Sequence, residues 1–131
     1  MNNRIKILVV DDKRVIGDFF DFTLGYYGHE ITVVNDPFQA AIKAKDGNFD
    51  IAFLDILMPD RDGVEVLKDV KAVSPNLPVV MMSGYSLQEK RDEAHRLGAW
   101  GCLKKPFEVE DVRRVVKAAI GKDIEIQSAG Q

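Results

Sequence analysis

Residues 5–12 read IKILVVDD and residues 49–55 read FDIAFLD, two short apolar runs that each end on acid. Ile5 to Val10 has the length and the β-branched content of a strand. From Lys13 to Tyr27 the spacing turns helical, with Val15, Ile16, Phe19, Phe20 and Phe22. Gly28 stands where a left-handed cap would end that helix. Glu30 to Val34 is a second strand, and Asp36 with Pro37 is the N-cap and first-turn pair of a helix carrying Ala40, Ala41, Ile42 and Ala44, closed by Gly47.

The same alternation continues outward from the second run. Phe49 to Leu54 is the third strand. The helix after Asp62 places Val66, Leu67, Val70 and Val73 on one stripe, until Pro75 and Pro78 forbid its continuation. Val79 to Met82 is the fourth strand, Ser86 and Glu89 have capping-box spacing for a fourth helix, and Trp100 to Leu103 is a short fifth strand. A last helix follows Pro106, with Val109, Val112, Val115, Val116, Ala119 and Ile120 on one side. Continuous apolar strands separated by helices belong to a parallel sheet covered on both faces, because a parallel connection needs a crossover. The expectation is a doubly wound α/β fold of five strands and five helices over residues 4–120. Residues 121–131 are expected to fray or to begin a linker.

Composition narrows the function classes. A chain of 131 residues, 46% hydrophobic and 30% charged, fits one ordinary globular domain. A net charge of −3 with scattered Lys and Arg argues against nucleic-acid binding by this segment, which needs a basic stripe. No apolar run approaches the roughly 20 residues that cross a bilayer, and no signal peptide is evident, so a cytoplasmic location is the expectation.

The chemistry collects at the strand ends. Ligands of open parallel sheets bind beyond the carboxyl ends of the strands, where strand order reverses. Asp11 and Asp12 follow the first strand, Asp55 the third, Ser83 the fourth and Lys105 the fifth. Taken singly, the first two acids read equally well as helix-start residues, Ser83 as a turn hydroxyl and Lys105 as a solvated lysine. Together they describe something else. Two carboxylates about 5 Å apart repel by roughly 3 kcal/mol at an effective dielectric near 20, so three imply a cation. Oxygen-only ligation with few carboxylates suits Mg²⁺, which often shares its shell with phosphate. A carboxylate can accept a phosphoryl group, whose equatorial oxygens then need cationic and hydrogen-bonding partners such as Lys105 and Ser83. No Cys and His spacing offers a zinc site, and His29 and His95 are expected on the solvated surface.

The runs Ile7 to Asp12 (ILVVDD), Asp55 to Gly63 (DILMPDRDG), Ser83-Gly84 and Lys105-Pro106-Phe107 (KPF) resemble, in order and spacing, those of response regulator receiver domains. The resemblance implies a flavodoxin-like sheet of order 2-1-3-4-5 and phosphorylation of Asp55 by a histidine kinase or phosphotransfer protein. It also implies Mg²⁺ held by Asp11, Asp12, Asp55 and the backbone carbonyl of Leu57, with Ser83, Gly84 and Lys105 around the phosphoryl group and a cis bond before Pro106. Lys104 should point elsewhere. Phosphorylation is expected to draw Ser83 and its loop inward and so to change a face formed by the fourth helix, fifth strand and fifth helix, which controls an unknown output and could also carry a homodimer. The usual aromatic three positions before the lysine is here Cys102, expected as a small buried strand residue. Leu57 and Tyr85 flank the position of the phosphoryl group. Trp100 is expected to pack, and the fourth helix, anchored chiefly by Leu87, Ala94 and Leu97, is expected to be loosely held. The alternatives are a pseudo-receiver that is never phosphorylated, an aspartyl phosphatase and a flavin carrier. Leu57 stands where the phosphatase needs a second acid, and Asp11 and Asp12 stand where the flavin carrier needs a phosphate-cradling loop.

Overall fold

The structure, a computed structural model, describes residues 4–84 and 88–126. Among them the elements run β1 (Lys6–Val10), α1 (Arg14–Thr23), β2 (Glu30–Val34), α2 (Ala40–Gly47), β3 (Ile51–Asp55), α3 (Gly63–Val73), β4 (Val79–Ser83), α4 (Gln88–Arg96), β5 (Gly101–Lys104) and α5 (Val109–Ile120), with 3-10 turns at Gly25–Tyr27 and Pro37–Gln39. The five strands are parallel in the order β2-β1-β3-β4-β5, as the family resemblance implies. Ser86 and Leu87, the expected cap and anchor of the fourth helix, and Tyr85 lie outside the described residues.

Alternation along the strands divides the core in two. Leu8, Val10, Leu54 and Met81 face α2 and α3 with Val66, Leu67 and Val70, while Ile7, Val9, Phe53 and Val80 face α1 and α5 with Phe20, Val112 and Val116. Strands buried on both faces are why these runs read as continuously apolar. Helix α1 meets the sheet on one side only. Ile16, Phe20 and Leu24 therefore turn inward at helical spacing, whereas Val15 and Phe22, grouped with them in the sequence, fall on the opposite stripe and are 67% and 71% exposed. The helix also stops before Tyr27. Thr23 Oγ1 donates to the carbonyl of Phe19 (2.7 Å), a contact that bends helices, and Gly25 follows in a 3-10 turn capped by Gly28 at φ 90°. Helix α2 ends through Asn48, left-handed at φ 56°, one residue beyond Gly47.

His29 is buried rather than solvated. Its Nδ1 accepts from the amide of Ile5 (3.2 Å), so its Nε2 carries the proton and donates to the carbonyl of Glu125 (2.9 Å). The imidazole thus satisfies the free end of β1 and ties it to a segment 96 residues away. His95 is exposed, as expected. The same contact explains why the chain after Gly121 does not fray at once. Ile124 is buried in the α1/α5 core, Ile126 packs at its margin, and Asp123 accepts from Arg113 Nε at 2.8 Å. His29→Ala is expected to lower stability by about 1–3 kcal/mol, the cost of stranding the buried amide of Ile5 and losing the partly buried bond to Glu125. It should also raise amide exchange over residues 123–126, measured beside thermal unfolding.

Candidate functional site

The strand register brings the acids together. Val10 pairs with Leu54 and Leu54 with Met81, so Asp11 and Asp55 occupy the next row beside Met82, and Asp12 and Ser83 the row beyond. Ser83 pairs with Lys104, which leaves Lys105 one step past the edge of the sheet. The order β2-β1-β3 reverses between β1 and β3, and Asp11 and Asp55 stand at the carboxyl ends of those two strands, the place where ligands of such sheets bind. One carboxylate oxygen each of Asp11, Asp12 and Asp55 lies within 4.8 Å of the others.

Their partners are few. Lys105 Nζ donates to Asp11 Oδ2 at 2.8 Å and stands 3.5 Å from Asp55 Oδ1, so it bonds the first acid and only approaches the second. Asp11, fully buried, also accepts the amide of Lys13 (2.9 Å), and Asn35 Nδ2 donates to its carbonyl (2.9 Å). Asp12 Oδ1 and Asp55 Oδ2 are buried and accept no hydrogen bond among the described residues, and the nearest ion pair of Asp12 is Lys13 at 3.8 Å. Burial pushes the Asp55 carboxyl up to about 6 and the neighbouring Asp11 charge adds to this, with Lys105 and the Leu57 amide opposing it. Three acids against one bonded ammonium, with two orphaned oxygens, form a donor set suited to a hard cation.

The loop after β3 completes the frame. Leu57 donates its amide to Asp55 Oδ1 (3.3 Å), and Leu57 and Asp62 form an antiparallel bridge. Gly63 follows. A Cβ there would lie 2.2 Å from the carbonyl oxygen of Asp55 and 2.7 Å from Ile56 Cα, both backbone atoms that cannot yield. Gly63→Ala is therefore expected to destabilise the fold by about 2–3 kcal/mol, as overpacking does, read from the denaturant midpoint. Asp62 caps α3 by accepting from Val64 N–H (2.9 Å) and also accepts from Lys90 Nζ of α4. Burial works against ionisation of Asp62, but the Lys90 and Val64 bonds outweigh it and hold the carboxyl below its ordinary value.

On the other side, the amide of Lys105 donates to the carbonyl of Ser83 (2.7 Å), a Cβ placed on Gly84 would meet the Lys105 stem only at an ordinary contact distance of 3.9 Å, and the Lys105–Pro106 peptide is cis. Ser83 is buried and Lys104 exposed. Cys102 is exposed, not buried, because β5 is the edge strand and α4 covers it incompletely. The thiol lines a cleft of about 260 Å³ between α4 and β5 with Met81, Gln88, Arg91 and Ala94. Trp100, expected to pack, is 42% exposed at the start of that edge. The sequence reading missed Asn35 and Lys90. Neither has a local signature, since each acts on a residue 24 or more positions away.

Residues 7–117 match the profile of the response regulator receiver domain. The chain is 32% identical over 117 residues to the transcriptional regulatory protein ZraR of Klebsiella oxytoca, covering 89% of this chain and 26% of that protein. It is 34% identical over 121 residues to the transcriptional regulatory protein FixJ of Bradyrhizobium diazoefficiens, covering 92% and 58%. The chain thus spans about a quarter to three-fifths of these relatives. Among solved structures it resembles the chemotaxis protein CheY4 of Vibrio cholerae (TM-score 0.82, 31% identity, 88% of this chain and 98% of that one). It also resembles the receiver domain of NtrX from Brucella abortus (TM-score 0.80, 35% identity, 88% and 98%).

Proposed function

Because this chain belongs to the response regulator receiver domain family, we propose that it accepts a phosphoryl group on Asp55 in a Mg²⁺-dependent reaction and so switches a surface that controls an output. The observation that carries the proposal is the pair of buried, unbonded oxygens, Asp12 Oδ1 and Asp55 Oδ2, within a trio of acids that one ammonium does not balance. Such a cluster favours phosphoryl chemistry over a pseudo-receiver that is never phosphorylated.

Asp11, Asp12, Asp55 and the carbonyl of Leu57 would hold Mg²⁺, which when bound neutralises charge on both the carboxylates and the phosphoryl oxygens. The chain's own groups do the rest. An Asp55 carboxylate oxygen attacks the phosphorus of a phosphohistidine or small acyl phosphate, the bond from phosphorus to the donor breaks, and the donor departs. Asp55 is held for this by the Leu57 amide on Oδ1 and by the turn that Gly63 permits. Lys105, 3.5 Å from Asp55 and bonded to Asp11, is close enough to shift its ammonium to a phosphoryl oxygen once negative charge arrives. Ser83, with Gly84 behind it, takes another oxygen through its hydroxyl.

The donor would be a histidine kinase or phosphotransfer protein. The output surface would be α4, β5 and α5, where Trp100 and Cys102 are already exposed and where a homodimer would form. No described helix is long and apolar enough to cross a membrane, and a cytoplasmic site of action completes the reading. Incubation with a small acyl phosphate and Mg²⁺ is expected to add one phosphoryl group, labile to hydroxylamine as an acyl phosphate is, and chelation should prevent it. Uptake that persists in chelator would refute the metal dependence.

A further inference from the structure

The site also touches helix α4 by a route that avoids both Ser83 and position 102. Leu57 bonds Asp55 through its amide and is bridged to Asp62, so the loop over residues 57–62 closes directly behind the acceptor carboxylate. Asp62 divides its carboxylate, with Oδ1 capping α3 and Oδ2 taking the ammonium of Lys90 from α4. Helix α4 has little else to hold it among the described residues. Ala94 is buried and Leu97 partly so, while Gln88, Arg91 and Asp92 bond one another within the helix. A helix held so lightly can change its seat for a small free-energy difference. Cys102, moreover, offers no ring to relay a movement of Ser83.

We infer that the Lys90–Asp62 pair is a strut that seats α4 in the unphosphorylated state, and that rearrangement at Asp55 reaches it through Leu57 and the loop behind. Lys90 is then a positioning residue. The inference rests on Asp55 as the acceptor.

In the full chain, Lys90→Met keeps the aliphatic stem and Asp62→Asn keeps the cap oxygen, so each removes the ion pair with little else. Without Mg²⁺ or ligand, each is expected to raise amide exchange over residues 88–97 about threefold, the scale of a partly exposed pair, and the double variant no further than either alone. With Mg²⁺, beryllium trifluoride as phosphoryl mimic should bind Lys90→Met about threefold more tightly, because a seat that resists the switch must weaken binding by the same factor. Lys90→Arg should restore both values. Unchanged exchange in Lys90→Met, additive effects in the double variant, or unaltered binding of the mimic would each overturn the strut. If the unsubstituted chain bound no beryllium trifluoride, the acceptor reading would fall instead, and the exchange measurements without ligand would still decide the strut.

Discussion

Asp55→Asn is expected to abolish phosphoryl uptake from an acyl-phosphate donor with Mg²⁺, leaving the chain unmodified by intact-mass measurement. The argument is one of position. Asp55 is the acid at the switch point whose Oδ2 is free of hydrogen bonds and whose Oδ1 is aligned by Leu57, whereas Asp11 is occupied by Lys105 on one oxygen and by the Lys13 amide on the other. An amide oxygen at the same place is a poor nucleophile and carries no charge to help bind the cation. Loss of one of three carboxylates is also expected to weaken the proposed Mg²⁺ binding. Labelling of the Asn variant on Asp11 or Asp12 would show that the wrong acid has been assigned.

The same substitution is expected to stabilise the metal-free protein, because in that form Asp55 works against folding. Its carboxyl is raised from an ordinary 3.8 to about 6, first by burial and then by the Asp11 charge. A raised acid favours the protonated native state. Its full stability is present below about pH 4, is lost as pH climbs through 6, and is absent at pH 7. At 1.36 kcal/mol for each tenfold, the gap amounts to roughly 3 kcal/mol in the unsubstituted chain at neutral pH. Asp55→Asn should therefore be more stable by about 1–3 kcal/mol at pH 7.5 in chelator, and the difference should shrink to nothing near pH 4. Millimolar Mg²⁺ should raise the unfolding temperature of the unsubstituted chain and move that of the variant much less, since only a native state that binds the ion gains from it. Chemical denaturation at several pH values, with and without Mg²⁺, measures all of this. Equal stabilities at pH 7.5 would mean that the acids are not crowded as the geometry requires.

Much of the molecule is legible along the chain, and the reason is locality. A strand such as IAFLD announces itself by a short apolar run, a helix such as α5 by its 3.6-residue stripe, and a turn by Asp36-Pro37 or Gly28, all within a few positions. Strand ends are equally local, so acids that follow β1 and β3 can be placed on one edge as soon as the sheet is known to be parallel. The order 2-1-3-4-5 came with the family resemblance, and not from periodicity, which is blind to which strand lies beside which.

What the sequence could not decide are matters of register and packing between distant residues. Helical spacing groups Val15 and Phe22 with Phe20, but only docking against one face of the sheet selects which stripe is buried. His29 looks like a surface residue after a cap until the free amide of Ile5 and the carbonyl of Glu125 arrive on either side of it. Cys102 looks buried because it lies in a strand, yet its strand is the edge one and the helix above it is sparsely anchored. Lys105 was legible as a member of the site, but its choice of Asp11 over Asp55 depends on where the turn after β5 sets its stem, to within an ångström. Residue types and their order thus determined the elements and the chemistry available at their ends, because those follow from short-range spacing. The pairings that tune the site needed the fold, because they join groups that only tertiary packing brings within a hydrogen bond of each other.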